Sequence, residues 1–462
     1  MNPRTKAGAL VFAAFAIVWA FSNRGSFNPS AFQYDFVAFY CASSVALDGA
    51  DPYRTEPLRA CEHRAGHAFR PDSKLAVPAP VPGYGLALIA PIAKLPFPIA
   101  AILWTALLIA AYIVSVVALV RLSGLSPPLV AAATALSIGY LSLVLGQLVP
   151  IAIAALCLAA LAVERERWRT AAACCAVAAI EPHLALPAIV ALFAMRAASR
   201  VPLAVALGVL GAASLAMLGI ARNIEYLTRV VHAQVASEIT RADQLSLAAL
   251  GYRFGMSVDA AAAWGTFTYF VALAAGVWLG ILAARRMNSP AALVLIPPAI
   301  ALLGAPYVHT HHLAAAIPAA LLLAGRSQVK LPAAIAAFLL CVPWITPYDA
   351  TPLLPLDALA IALLAHGLLK LSPLRSAALG ALATIALFAA HAALVPLVPP
   401  PPSAYAAIGP NDLAEAGWRI LVDATFHDNR VLFTLLALPA WGAMVALVVA
   451  CTRAARPVTA PA

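Results

Sequence analysis

The stretch VPGYGLALIAPIAKL, residues 81–95, is apolar enough to enter a bilayer, yet it is bracketed by Pro82, Pro91, Pro96 and Pro98. A helix needs about 20 residues to cross the hydrocarbon core, and this one is short. It therefore reads as an interfacial or re-entrant helix rather than a span. With the N-terminus inside, residues 99–120 then run inward, which makes Arg121 and the Glu164-Arg165-Glu166-Arg167-Trp168-Arg169 turn cytoplasmic. Counted as a span, 81–95 would put that basic turn outside, against the positive-inside rule.

The rest of the chain fits this threading. With 63% hydrophobic and 10% charged residues and a mean hydropathy of +0.91, the polar groups are too few to cover a soluble core. The class is an all-α polytopic membrane protein, one integral domain over residues 1–462. After the first apolar run, 8–21, and residues 99–120, spans are expected near 127–145, 148–163, 170–195, 201–221, 262–284, 290–304, 311–325, 331–347, 355–370, 376–397 and 431–452. That makes about 12–14 transmembrane helices by the length rule. The 170–195 segment is expected to be two half-length helices broken at Pro182, because a single span there spoils the alternation of basic clusters.

The first run is expected to stay as an anchor, since Phe21-Ser22-Asn23-Arg24 is no small-residue cleavage site. The net charge of +10 falls in short groups between apolar runs, among them Arg196 to Arg200, Arg285-Arg286 and Lys370 to Arg375. No aromatic interleaving accompanies it, so nucleic acid is excluded as a partner. No internal repeat is evident, and Val398-Pro399-Pro400-Pro401-Pro402 is the low-complexity tract, a stiff lead into a loop.

Threaded this way, the remaining polar residues collect on the outer face, in the first loop (22–98, with an interfacial helix pair) and in loops 222–260 and 398–430. Cys41 and Cys61 share the first loop and pair if the compartment is oxidising, or stay free. Cys157, Cys174, Cys175, Cys341 and Cys451 lie in or beside spans, as ordinary packing residues.

The first loop opens on YDFVAFYCASSVALDGADPY, residues 34–53. A carboxylate at the lipid–water boundary is costly to desolvate, so Asp35 is read as a functional group, as the N-cap of the helix that follows, or as both, since a cap would fix its carboxylate in place. Tyr34, Phe36, Phe39 and Tyr40 would anchor that helix at headgroup depth. Gln147 opens a span, where it is a candidate polar contact for a ligand or satisfies the helix end. His309, His311 and His312 cluster at the start of another helix. A zinc site there is the lesser reading, because no H-E-x-x-H pattern or acidic partner is adjacent.

Asp35-Phe36, Phe39-Tyr40, Ala42, Ala46-Leu47, Gly49 and Pro52-Tyr53 resemble the first outer-loop signature of glycosyltransferase family 87, the polyprenol-phosphate-mannose-dependent mannosyltransferase-like proteins of the GT-C superfamily. In the same order come Pro78 to Pro96, Gly146-Gln147, Ile180-Glu181-Pro182-His183, Asp243-Gln244-Leu245-Ser246-Leu247, Ala305-Pro306-Tyr307 and His311-His312-Leu313. The set covers most of residues 1–325. The resemblance implies a GT-C-like fold and an inverting transfer of a hexose, mannose by family default. Its partners are a polyprenyl-phosphate sugar donor, a glycolipid or glycan acceptor and the lipid bilayer.

The enzyme would be a multi-pass plasma-membrane protein with its site on the extracytoplasmic face, needing no cofactor and no metal. Asp35 becomes the general base. Tyr40, Tyr53, Gln147, Glu181, His183, Arg222, Gln244, His309, His311 and His312 become substrate-binding residues. Glu181 stands where family members commonly carry Lys, which inverts a charge beside the donor phosphate. A transporter or flippase of lipid-linked sugars, with ionisable groups such as His366 and His391 inside spans, and a noncatalytic scaffold are the alternatives.

Overall fold

The computed structural model describes residues 33–66, 74–135, 138–241, 244–328, 330–340, 354–394, 408–426 and 430–454. The anchor at 8–21, the proline tract, Asp243, Cys341 and the end of the 331–347 span lie outside them. All regular structure among the described residues is helical, apart from one isolated bridge between Arg54 and Leu413.

The first loop holds α1 (Tyr34–Leu47), α2 (Thr55–Arg64) and α3 (Gly83–Ala93). A disulfide joins Cys41 to Cys61, with their Cα atoms 5.5 Å apart, and ties α1 to α2. Helix α3 is the Pro-bracketed segment, entered through Pro82. It lies close against a later helix because Gly83 has no side chain: a Cβ there would meet Ser214 Oγ at 2.6 Å.

Helix α4 (Phe97–Ser123) starts with Pro98 in its first turn and stops at Gly124, whose φ of 72° suits the left-handed cap. Its two sides are both apolar but differ in surroundings. Trp104, Leu108, Leu119 and Leu122 are buried, while Ile102, Ile113 and Leu103 face outward. A helix flanked by protein on one side and hydrocarbon on the other has no need of polar residues on either.

Helices α5 (Pro127–Ala135) and α6 (Ile138–Leu145) lie within the expected 127–145 span, and α7 (Val149–Glu164) follows. Next come α8 (Trp168–Ala178) and α9 (Pro182–Met195), the expected broken pair. Proline cannot carry the hydrogen bond across the break and holds its predecessor extended: Glu181 sits at φ −112°, ψ 85°.

The region beyond residue 221 is not a plain loop, because α10 (Ala197–Glu225) continues through a π-turn at Tyr226–Val230 into α11 (Val231–Ile239). A break at Gly219, φ 69° and ψ 178°, lets the chain change direction within that run. The run is 43 residues long, about 65 Å of helix, roughly twice the hydrocarbon thickness. Then follow α12 (Leu247–Arg253), α13 (Val258–Met287), α14 (Ala292–Ala301), α15 (Ile317–Arg326), α16 (Lys330–Leu340), α17 (Leu354–Leu368), α18 (Pro373–Leu394), α19 (Ala414–Phe426) and α20 (Arg430–Ala454). Short 3₁₀ turns at Leu302–Gly304 and Thr310–Ala316 lie between α14 and α15.

Among the described residues, Phe97–Ser123, Ala197–Ile239 and Val258–Met287 are long and apolar enough to cross a membrane, and eight further apolar helices run 10–17 residues. The 398–430 region also differs from a bare loop. Helix α19 docks on the first loop through Thr55 N–H to Asp412 O (2.9 Å) and Ala414 N–H to Tyr53 O (3.0 Å).

Candidate active site

These helices enclose a cavity of about 870 Å³, within the usual range for a small-molecule site, about 300–1,000 Å³. One end is polar, lined by Tyr34, Asp35, Gln147, Glu181, His183, Glu238, Arg241, Tyr307, His309, His311 and His312. The flank is apolar, built from Leu186 and Ile189 of α9 and Leu207, Leu210 and Leu215 of α10. Leu186, Leu207 and Leu215 are exposed as well as cavity-lining.

Asp35 is placed by packing rather than by capping. The N-cap of α1 is Gln33, in the left-handed region, with no side-chain cap bond; the N-cap alternative for Asp35 is therefore corrected. Phe36, fully buried, lies between the rings of Trp104 (4.7 Å) and Phe97 (6.0 Å) and pins the first turn. Gly146 makes the opposing contact possible. At φ 76°, with Phe36 Cβ only 2.7 Å from where a Cβ would stand, the position suits glycine. Its carbonyl accepts from Trp104 Nε1 at 2.8 Å.

The next residue, Gln147, donates Nε2–H to Asp35 Oδ2 at 2.5 Å. Burial raises the Asp35 carboxyl to about 6, against the opposing pull of the Gln147 donor and Arg241. A carboxyl so tuned is a base near neutral pH.

Across the cavity, the break between α8 and α9 presents Glu181 and His183, with Glu181 Oε2 3.7 Å from His183 Nδ1. Burial lifts the Glu181 carboxyl to about 8. The Thr310–Ala316 turn brings His312 against His183, ring centroids 4.8 Å apart, and His311 against His312 at 4.4 Å. His312 Nδ1 accepts from the His309 backbone N–H at 3.1 Å. The acidic partner missing beside the histidines in the chain is supplied by the fold, about 130 residues away.

A second buried cluster holds the wall between them. Glu238, 2% exposed, takes Gln234 Nε2 at 3.1 Å and Gln244 Nε2 at 3.0 Å, and lies 3.2 Å from His309 Nε2 and 3.4 Å from Arg241 Nε. Gln244 Oε1 accepts the Val308 N–H at 2.7 Å, which fixes the segment leading to the histidines.

Of the residues singled out in the sequence, Asp35, Gln147, Glu181, His183, His309, His311 and His312 line the cavity together. Gln244 supports it from behind. Three stand apart from the lining and make structural contacts. Tyr40 donates to Leu95 O (2.8 Å), Tyr53 to Val81 O (2.8 Å), and Arg222 Nη2 to Gly49 O (2.8 Å). Among the aromatics of α1, Tyr34 and Phe39 reach the cavity, whereas Phe36 and Tyr40 are taken up by packing. Glu238, Gln234, Arg241, Tyr226 and Trp418 were not anticipated. The i,i+4 spacing of Gln234 and Glu238 is the available signal, masked by the charges around it in the 222–260 segment.

Among the described residues, three helices long and apolar enough to cross a membrane accompany a cavity that holds a carboxylate and a group of imidazoles. Residues 82–306 match the sequence model of glycosyltransferase family 87. The match supports a glycosyltransferase of that family. No curated protein and no solved structure matches it. The matched segment contains Gln147, Glu181, His183 and Glu238, while Asp35 and the three histidines lie beyond its ends and join the site through the fold.

Proposed function

We infer that the chain transfers a hexose, mannose by family default, from a polyprenyl-phosphate donor to a glycolipid or glycan acceptor, with inversion. The observation that carries this reading is the Asp35 carboxylate, held by Gln147 in a cavity that is polar at one end and lipid-like along its flank. The apolar flank of α9 and α10 suits the isoprenoid chain, and the polar end suits sugar and phosphate.

In the proposed step Asp35 takes the acceptor hydroxyl proton while the acceptor oxygen bonds to the anomeric carbon. The bond from that carbon to the phosphate oxygen breaks, and polyprenyl phosphate leaves with the electron pair. Hydrogen-bond donors at the histidine end offset its charge. The Cys41–Cys61 bond supports placement of this face in an oxidising, extracytoplasmic compartment of a plasma-membrane protein.

The test supplies radiolabelled polyprenyl-phosphate mannose with total envelope lipids and glycans to membranes bearing wild type or Asp35→Asn. Label should reach a new product with wild type, and the variant should lose about 10²- to 10⁴-fold of that rate, the range for general-base catalysis. An Asp35→Asn enzyme as fast as wild type would remove Asp35 from the chemistry. No transfer by a folded, carrier-binding wild type would overturn the mannose assignment.

A further inference from the structure

We propose that Glu181, His183 and His312 form a binding site for one divalent transition-metal ion of the Zn²⁺ class, with an open coordination position facing the cavity. Each residue offers a ligand atom, and the three atoms lie within 4.8 Å of one another. Around tetrahedral zinc, with bonds of about 2.0–2.1 Å, ligand atoms stand about 3.4 Å apart. Glu181 Oε2 and His183 Nδ1 are already at 3.7 Å, and small side-chain rotations close the set.

Two observations point to a cation rather than to a closed hydrogen-bond network. His183 Nε2 is buried without a hydrogen-bond partner, and its Nδ1 lies beyond hydrogen-bond range of Glu181. Glu181 is 9% exposed in a wall it shares with imidazoles, a setting where a carboxylate is costly unless a positive charge meets it. Arg241, which lines the same cavity, lies against Glu238 instead.

Two imidazoles and a carboxylate are a donor set that suits zinc and its neighbours better than Mg²⁺ or Ca²⁺. Ligation through either His312 nitrogen takes the Nδ1 lone pair away from the His309 N–H, by direct bonding or by moving the ring proton there. One neutral hydrogen bond is given up, a small loss beside a metal–imidazole bond.

Three protein ligands leave a fourth position for water or an oxygen of the substrate. That position opens onto the polar end of the cavity, where a phosphate oxygen would fit. This last role rests on the glycosyltransferase reading above; the metal site itself does not.

The test uses the full chain in detergent, without a histidine tag, and measures bound metal after Zn²⁺ or Co²⁺ loading and desalting. One equivalent is expected for wild type and for Asp35→Asn, with affinity at least tenfold lower in Glu181→Gln and His312→Gln. Bound Co²⁺ should give tetrahedral visible bands that shift on adding inorganic phosphate. No stoichiometric metal in wild type, or equal binding by both ligand variants, overturns the site. Bands indifferent to phosphate overturn the open position. Neither readout involves sugar transfer, so failure here is distinct from failure of the glycosyltransferase reading.

Discussion

Replacing Gln147 by Leu removes the donor that stabilises the ionised form of Asp35 while keeping a side chain of similar size. The bond is charge-assisted and short, 2.5 Å, and such bonds contribute about 1.5–3 kcal/mol. At 1.36 kcal/mol per pH unit, its loss raises the Asp35 carboxyl by about 1–2 units. Wild-type activity should therefore show an acid limb near pH 6, the value to which burial raises this carboxyl, and Gln147→Leu should show one about 1–2 units higher.

At pH 7 the wild-type base is about nine-tenths ionised, and the variant should be slower by about 2- to 15-fold. The deficit should close by about pH 9, where both bases are ionised. Initial rates of labelled-sugar transfer across pH 5–9, at saturating and limiting donor, read this directly. An acid limb that does not move, or a deficit that persists unchanged at pH 9, would refute the idea that Gln147 acts through the ionisation of Asp35.

Two further outcomes concern stability. Gly146→Ala places a Cβ against Phe36, which its ring neighbours prevent from moving, and should cost about 2–4 kcal/mol; Gly124→Ala, at φ 72° with nothing within 4 Å, should cost only the backbone penalty of about 1–2 kcal/mol. Equal drops in melting temperature for the two would refute the packing account. Burial raises the Glu415 carboxyl to about 8, above its unfolded value, so the folded state holds an extra proton between about pH 4.5 and 8. Stability from that proton is fully present below the unfolded value and lost as pH rises through 8. Glu415→Gln should therefore gain over wild type as pH rises from 5 to 8, in thermal melts of the detergent-solubilised protein.

What was legible in the sequence was whatever local chemistry enforces. Pro182 breaks the 170–195 segment because no helix passes an imino acid and its extended predecessor without loss. Pro82 and Pro96 bound α3 for the same reason, and Gly124 ends α4. The shortness of 81–95 is legible too, and its helix runs only from Gly83 to Ala93. The charges of residues 222–239 suggest solvent, whereas Glu238 and Gln234 are buried polar residues on a continuing helix. Arg222, an attractive phosphate ligand by charge, lies on the far side of the same helical run, bonded to Gly49.

The site itself was half legible, and the division is physical. Asp35, Gln147 and the histidines stood out because polar groups in apolar surroundings are expensive and need a reason. Their pairing did not, because it crosses between segments. Asp35 meets Gln147 across 112 residues, and Glu181 meets His312 only because the α8–α9 break and the Thr310–Ala316 turn end at the same cavity wall. The Glu at 181 looked like a charge reversal when read beside its sequence neighbours. Read beside His183 and His312 it completes a donor set, and the same carboxylate that would repel a phosphate on its own can hold the cation that attracts one.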